Sequence, residues 1–521
     1  MQSSNHHTYL ILGAGPAGLQ LGYYFAQTGE DYRILEAGDG PGTFFATFPR
    51  HRTLISINKV NTGLDDPEEN LRYDWNSLLC DRPELSFTRY SKAYFPPAED
   101  FLRYLQDFTQ AYDLRVQYGC RIERVARNGC FQLTDQHGQV YTCDRLIVAT
   151  GVSLPYEAKI PGIELAENYV DMPLDPAGFV NQRVLILGKG NSAFETADAL
   201  MEAAAVIHLA SPEPVKLAWQ THFVGNLRAV NNNFLDTYQL KSQNAVIDAE
   251  IESIQRREDG KLVVDIQFTH ARGQRRRILY DRVLACTGFR FDTSIFDQDC
   301  RPPLCPRGKL PQMTSEWQAV NVPDLYFAGT LMQMRDYKKT MSGFVHGFRH
   351  NVLALHRLLA SKYHGRSWPC QRLPLVPEAV VEAVLDRINR SSGLFLQPGF
   401  LADLVVLDPE REEACYYPEL PVDYLKDHAF NGAEHYYMVT LEYGRFDTDF
   451  LSTERNPDPM AAHTASYLHP VIRRYHRGEQ VGEQHIHDDL ENEWHTPELV
   501  QPFAAFVTQD LSQLQPEAVR S

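Results

Sequence analysis

The sequence predicts an α/β chain in which one Rossmann-like dinucleotide domain is interrupted by a second of the same design and followed by a C-terminal appendage. Three observations predict it. Tyr9-Leu-Ile-Leu-Gly13-Ala-Gly15-Pro16-Ala17-Gly18 reads as apolar strand, glycine-rich turn and helix, and Val184-Leu-Ile-Leu-Gly188-Lys-Gly190-Asn191-Ser192-Ala193 repeats that order. Each unit then closes on an apolar strand ending in Thr-Gly, Arg145 to Gly151 and Asp281 to Gly288. A further strand, Leu325 to Gly329, returns the chain to the first unit. The boundaries predicted are 1–160 with 285–361 for the first domain, 161–284 for the inserted one and 362–521 for the appendage.

Each element has a local reason. Gly13 allows the tight turn, Gly15 lets a diphosphate approach the backbone, and Gly18 lets the helix pack closely on the strand. The helix runs to near Gly29, and strand Tyr32 to Glu36 ends in an acid 18 residues beyond Gly18. That carboxylate is placed to accept hydrogen bonds from an adenosine ribose. Helix Ala98 to Tyr112 is read from Phe101, Leu102, Leu105 and Phe108 on one face. Short strand signals cover Leu114 to Val125 and Phe131 to Thr134, and Val125 is counted among the cofactor contacts.

In the second unit Gly188 and Gly190 again admit a diphosphate. Asn191, Ser192, Ala193 and Glu195 carry the motif into a helix reaching about Glu202, with Ser192 a donor at its start. Strand Val206 to Ser211 ends without the acid that usually holds the ribose of NAD. Ser211 and Lys216 stand there instead and favour the 2′-phosphate of NADPH, against the repulsion of Glu213. A glycine-punctuated helix is expected from Ser342 to Leu359. From about residue 362 the composition turns proline- and acid-rich, which predicts a separate unit of weak helices.

Composition excludes several classes. A formal charge of −17 disfavours nucleic acid and anionic membranes, and Arg275-Arg276-Arg277 reads as a solvated run. No apolar stretch reaches the ~18 residues of a membrane helix, and the polar start Met1 to Thr8 leaves no room for a signal peptide. Nine cysteines without a C-x-x-C fit a reducing, cytoplasmic setting. No cysteine precedes Cys80, and Cys300 and Cys305, separated by two prolines, read as structural thiols, so dithiol chemistry is disfavoured. His485, His487, Asp488, Asp489 and His495 suggest a metal site by composition, but no second ligand pair accompanies them. An exposed acidic helix capped by histidines is the expectation, and no metal is assigned. A homo-oligomer stays open.

The two glycine motifs, with Ala149-Thr150-Gly151 and Cys286-Thr287-Gly288 closing each unit, resemble the two-dinucleotide-domain flavoproteins. Gly188-Lys-Gly-Asn-Ser-Ala-Phe-Glu195 resembles the NADPH motif of flavin-containing monooxygenases. Phe48-Pro-Arg-His-Arg52, Leu54 to Lys59, Asp74-Trp-Asn-Ser-Leu-Leu79, Leu235 to Ser242, Gly343-Phe-Val-His-Gly-Phe-Arg349 and Leu468 to Ile472 resemble the animal family of FAD-dependent oxidoreductase domain-containing proteins.

The resemblance implies FAD lying between Gly13 and Gly329, with the nicotinamide of NADPH over its isoalloxazine. It implies reduction of FAD by NADPH, reaction with O2, and a C4a-hydroperoxyflavin that oxygenates nitrogen or sulfur in a small molecule. Asn58 matches an asparagine near the flavin's reactive edge, where its amide would donate to the oxygen adduct; the other reading is a turn asparagine satisfying backbone groups. A flavin reductase or oxidase, a single-component halogenase and a flavin-containing recruitment protein remain alternatives. The chain departs from these relatives in three places. Gly162 to Val180 lacks the histidine of F-x-G-x-x-x-H, Thr330 stands where many flavin reductases have Asp, and the chain ends Ala518-Val-Arg-Ser521 without a retention tail. Trp219 to His222, Arg228, Asn231 to Asn233 and Tyr238 form a polar, aromatic loop that either shapes a substrate pocket or docks the appendage.

Overall fold

A computed structural model describes residues 5–239, 243–305, 308–445 and 452–514. The end of the Leu235 to Ser242 motif (240–242) and the terminus Ala518 to Ser521 lie outside the described residues.

The first glycine motif builds as its pattern demands. His6–Leu12 is buried from Tyr9 onward and pairs in parallel with Tyr32–Leu35 on one side and Val140–Val148 on the other. The chain turns at Gly13 (φ 101°) into helix Pro16–Thr28, whose first residue is the proline suited to that position and whose end is a left-handed Gly29. Leu325–Phe327 pairs with Leu146 to Val148 in this sheet, so the strand late in sequence does return to the first unit. One strand signal is split: Leu114 to Val125 becomes Val116–Gln117 and Ile122–Asn128, broken by Gly119 at φ 62°.

The second sheet runs Arg183–Leu187, Val206–Ser211 and Ala245–Arg256 in parallel, then antiparallel through Leu262–Phe268 and Arg275–Tyr280. Arg282–Ala285 pairs with Arg183–Leu187 on the other side. The Arg275 to Arg277 run is therefore the exposed start of an edge strand, with Arg275 on Glu252 and Arg277 on Asp265. Leu154–Pro155 and Phe289–Arg290, the two links between the units, pair with each other as a short ribbon.

The weak helices expected after residue 362 are replaced by a six-stranded antiparallel sheet. Leu401–Asp408 and His435–Glu442 lie at its centre, flanked by helices Pro377–Arg390 and Pro497–Leu514. Leu401–Asp408 is buried along almost its whole length, so it shows no alternation for a period-two reading to catch. Nor is this unit separate in packing. Phe400, Leu401, Leu404, Leu420 and Met438 share one continuous core with the first sheet and with helix Val345–His364. Trp368 and Arg357 both donate to the Pro418 carbonyl across that junction (2.9 and 3.1 Å).

The expected acidic helix at 485–495 is absent. His485 ends strand Glu479–His485 against His469 (Nδ1 to Nε2, 2.9 Å), and Trp494 is fully buried with its indole N–H on the His487 carbonyl (3.0 Å). No helix among the described residues is long and apolar enough to cross a membrane.

Candidate functional site

The first turn is held by its own acid. Glu36, expected to accept from an adenosine ribose, here accepts from the Ala14 N–H (2.6 Å), the Gly38 N–H (2.9 Å) and the Thr43 hydroxyl (2.8 Å), so its buried carboxylate braces the turn. A Cβ on Gly18 would lie 2.0 Å from the Gly13 carbonyl oxygen; one on Gly15 would meet nothing within 4 Å. Close packing and open approach thus fall to the residues predicted for each. Ala149 donates to Leu12 (2.8 Å), and its carbonyl oxygen would touch a Cβ on Gly13 at 2.9 Å, which brings the Ala149-Thr150-Gly151 corner against the turn. Gly329 (φ 75°) abuts Ala17, which joins the returning strand to the same helix start.

From Gly329 the track continues to the start of helix Val345–His364. The Thr330 hydroxyl donates to the Gly343 carbonyl (3.2 Å). Arg349, fully buried, donates to the carbonyls of Leu71 (2.6 Å), Asp74 (2.9 Å) and Ser77 (2.7 Å), while the Asp74 carboxylate accepts the Asn76 and Ser77 N–H groups (3.0 Å each). These bonds explain why the Asp74 and Gly343 motifs occur together: one folds the other. They seat Trp75 on His346, ring centroids 4.2 Å apart at 24°. Burial drives the His346 imidazole well below its usual pKa, so it stands neutral, and neither ring nitrogen has a hydrogen-bond partner among the described residues.

Asn58 is placed beside this pair by its bridge to Asp74, but its chemistry is reversed. Its amide N–H groups donate to the carbonyls of Ser91 (2.9 Å) and Ala93 (3.2 Å), and the buried atom left without a partner is Oδ1. The expected donor is an acceptor. Val125 is corrected outright: its N–H goes to Ile295 (2.7 Å), its carbonyl accepts from Asp297 (2.9 Å) and Cys300 (3.2 Å), and its side chain is fully buried. It retains no free polar group for a cofactor.

The second turn repeats the backbone with different side chains. Gly188 (φ 126°) would place a Cβ 2.4 Å from the Cys286 carbonyl oxygen, and Gly190 faces open space before helix Asn191–Leu200. Gly288 takes φ 84° at the opposite corner. Ala193, fully buried, fills the place held by glycine in the first turn. Lys189 ion-pairs with Asp248, the residue beside Ser211 on the neighbouring strand. An acid does therefore stand at this strand edge, contributed from the next strand and already neutralised. Ser211 donates to the Glu213 carbonyl (3.2 Å), and Lys216 is exposed with no ion pair among the described residues.

Asn191 organises the loop that follows. Its amide donates to Asn226 (2.8 Å), and its oxygen accepts from the Arg228 N–H (2.9 Å) and Asn231 (3.2 Å). The loop contains helices Ala218–Thr221 and Asn233–Gln239, and it reaches both neighbouring units. His222 stacks on Tyr443 of the C-terminal unit (4.4 Å), while Arg228 lies over the Trp75 ring of the first unit (5.2 Å). The Phe48 motif makes the second bridge: Phe48 stacks on Tyr169 (5.8 Å), and Arg50 donates to the carbonyls of Val170 and Met172. Tyr169 in turn donates to Glu195 (3.3 Å), whose carboxyl burial lifts to about 7.

The residues present fit both nucleotides on physical grounds. Each turn offers open space before a helix start, and the first track ends in buried polar atoms without protein partners, Asn58 Oδ1 and the His346 nitrogens. A cleft of about 940 Å³ lined by Tyr23, Lys59, Arg82 and Arg387 touches neither glycine turn.

Residues 10–329 match the pyridine nucleotide-disulphide oxidoreductase family. The chain belongs to this family. It is also 40% identical to FAD-dependent oxidoreductase domain-containing protein 2 of Danio rerio, across 90% of this chain and 76% of that one. A probable indole-3-pyruvate monooxygenase, YUCCA1 of Arabidopsis thaliana, is 27% identical over 39% of this chain and 46% of its own. The fold matches a flavin-containing monooxygenase from Stenotrophomonas maltophilia, TM-score 0.53 at 21% identity, over 68% of this chain and 98% of that one. This member of the family is an FAD-dependent oxidoreductase, and its sheets are those of a two-dinucleotide flavoprotein.

Proposed function

We propose that the chain is an NADPH-dependent flavin monooxygenase acting on a nitrogen or sulfur centre of a small molecule. Residues 1–160 and 285–361 hold FAD, and 161–284 hold NADPH. The balance is NADPH, a proton, O2 and substrate going to NADP⁺, water and the oxygenated product. The single observation that carries the reading is the wall at the end of the first track: Trp75, His346 and Arg228 meet there, Asn58 is bridged to Asp74, the residue before Trp75, and no cysteine is among them. Likeness to the Arabidopsis monooxygenase supports it.

When bound, FAD accepts electrons from NADPH and passes them to dioxygen. The protein's part is to bind, orient and exclude water. Gly13, Gly15, Pro16, Ala17 and Gly18 present the first turn, Glu36 braces it, and Ala149, Thr150, Gly151 and Gly329 close the channel around it. Gly188, Gly190, Asn191, Ser192 and Ala193 present the second, with Gly288 at its opposite corner; Ser211, by exchanging its bond to the Glu213 carbonyl, and exposed Lys216 supply a donor and a cation for a 2′-phosphate. Asn58 offers an acceptor to a proton-bearing nitrogen, and neutral His346 presents one donor and one acceptor. The Trp75 and Phe344 rings on either side of His346 keep that end apolar.

Mixing purified flavin-loaded protein with NADPH in air tests the proposal. Flavin absorbance should bleach, and a screen of amines and thioethers should find compounds whose oxygenated product accounts for the NADPH consumed, with little hydrogen peroxide. A flavin that NADPH never bleaches, or peroxide equal to NADPH with every compound, overturns it.

A further inference from the structure

Arg228 is anomalous among the deeply placed arginines. Arg349 spends its guanidinium on three carbonyls, Arg387 on Asp403 and Glu419, and Arg72 on the carbonyls of Ile388 and Ser391. The Arg228 guanidinium has no hydrogen-bond acceptor and no carboxylate among the described residues. It lies against two rings instead, 5.2 Å from the Trp75 centroid and 6.0 Å from that of Phe95. Burial lowers its pKa, with Tyr94 the neighbour that offsets this.

Its position is not accidental. The Arg228 N–H is fixed on Asn191, and the neighbouring Leu227 is buried. The same asparagine starts the helix whose open turn suits a nucleotide diphosphate, yet the Arg228 head is carried onto rings of the first unit, away from that turn's own chain. Around it runs a row of rings: Trp75 on His346, His346 on Phe344 (5.9 Å, 13°), and Phe344 against Phe223 (5.8 Å). A partly desolvated cation with aromatic walls and five unmet donors is a receptor for a carboxylate attached to an apolar body.

We infer that Arg228 anchors the substrate by its carboxylate, and that the substrate class is a small carboxylic acid with an aromatic or extended apolar body. This rests on the reading that substrate meets the flavin at the Trp75 end of the track. The carboxylate takes the guanidinium fork, while Trp75, Phe95 and Phe344 flank the apolar part. The anchor leaves the reacting nitrogen or sulfur at the far end of the molecule from the charge.

The test compares 3-phenylpropanoate with 3-phenylpropanamide, alike in shape and different in charge, by calorimetric titration of the flavin-loaded protein. The acid should bind about tenfold or more tightly than the amide. Arg228→Gln should erase that preference and leave the amide unchanged, and Arg228→Lys should keep part of it. Flavin content and melting temperature, measured on each preparation, check that each variant is folded and loaded. Equal binding of acid and amide, no binding of either, or a preference surviving in Arg228→Gln overturns the inference. Loss of NADPH bleaching in Arg228→Gln with the acid preference intact assigns the residue to the nucleotide and overturns it too. Failure of the parent flavin to bleach with NADPH sinks the monooxygenase reading alone, because the binding comparison needs no turnover.

Discussion

The two glycine turns share one backbone and differ in how charge is managed around it. In the first, Glu36 stands at the end of the adjoining strand and accepts the Ala14 N–H at 2.6 Å, so the acid belongs to the turn. In the second, that strand ends in Ser211, and the acid Asp248 comes from the next strand to pair with Lys189 inside the turn. Among the described residues no cation pairs with the first turn's acid, whereas the second turn's is cancelled. A carboxylate complements a ribose diol and repels a 2′-phosphate, and on the proposed function this contrast is what sets the second turn's preference for NADPH.

The largest break is expected at Gly18. A methyl group there lies 2.0 Å from the Gly13 carbonyl, and neither partner is a flexible side-chain end. Gly18→Ala should cost about 3 kcal/mol or more and yield protein without FAD, read from the flavin-to-protein absorbance ratio. The second turn already carries Ala193 at the matching place, so Ala193→Gly should cost only about 1 kcal/mol through helix propensity. If Gly18→Ala retains flavin, the two turns do not differ in packing as described.

Next in size is Gly188→Ala, with φ 126° and a Cβ 2.4 Å from the Cys286 carbonyl oxygen. The damage should stay in the second unit: flavin retained, bleaching by NADPH lost or slowed by about a hundredfold or more. Stopped-flow absorbance at matched flavin content reads it, and loss of the flavin instead would show the two units to be one cooperative body.

What the sequence disclosed follows from the range of the forces involved. Gly13, Gly15, Gly18 and Glu36 were legible because strand, turn and acid lie within one βαβ stretch. The Lys189–Asp248 pair was not, since it depends on the parallel register of His208 to Ser211 with Ala245 to Asp248. Nor were the partners of Asn58, whose donor role fails only because Ser91 and Ala93 fold over it. The C-terminal sheet escaped because Leu401–Asp408 is buried along almost its whole length and so shows no alternation of apolar and polar positions.

A smaller effect separates the nucleotides. Ser211→Asp combined with Lys216→Ala restores an acid at the strand end and removes an exposed cation. The preference for NADPH over NADH, measured as the ratio of kcat/KM for flavin reduction, should fall by about tenfold or more, about 1.4 kcal/mol. An unchanged ratio would place 2′-phosphate recognition elsewhere.

The smallest effect is a pH slope built into the second unit. Burial lifts the Glu195 carboxyl from its ordinary 4.5 to about 7, and Asp198 on the same helix from 3.8 to about 6. A folded pKa above the unfolded one favours the protonated form, so this contribution is fully present below about pH 4.5 and is lost as pH climbs through 7. Glu36, in the first unit, is braced by three donors at 2.6–2.9 Å, whereas the buried Glu195 carboxyl leans on the Tyr169 hydroxyl at 3.3 Å and the His51 backbone, which offset its burial only in part. Glu195→Gln keeps the shape and removes the titration. Thermal unfolding at pH 5 and pH 8 should show the parent losing about 1 kcal/mol more than the variant across that interval, after allowance for solvent screening. Parallel slopes for the two proteins would mean that Glu195 is ionised in the folded state throughout, with its charge met by solvent rather than suppressed by burial.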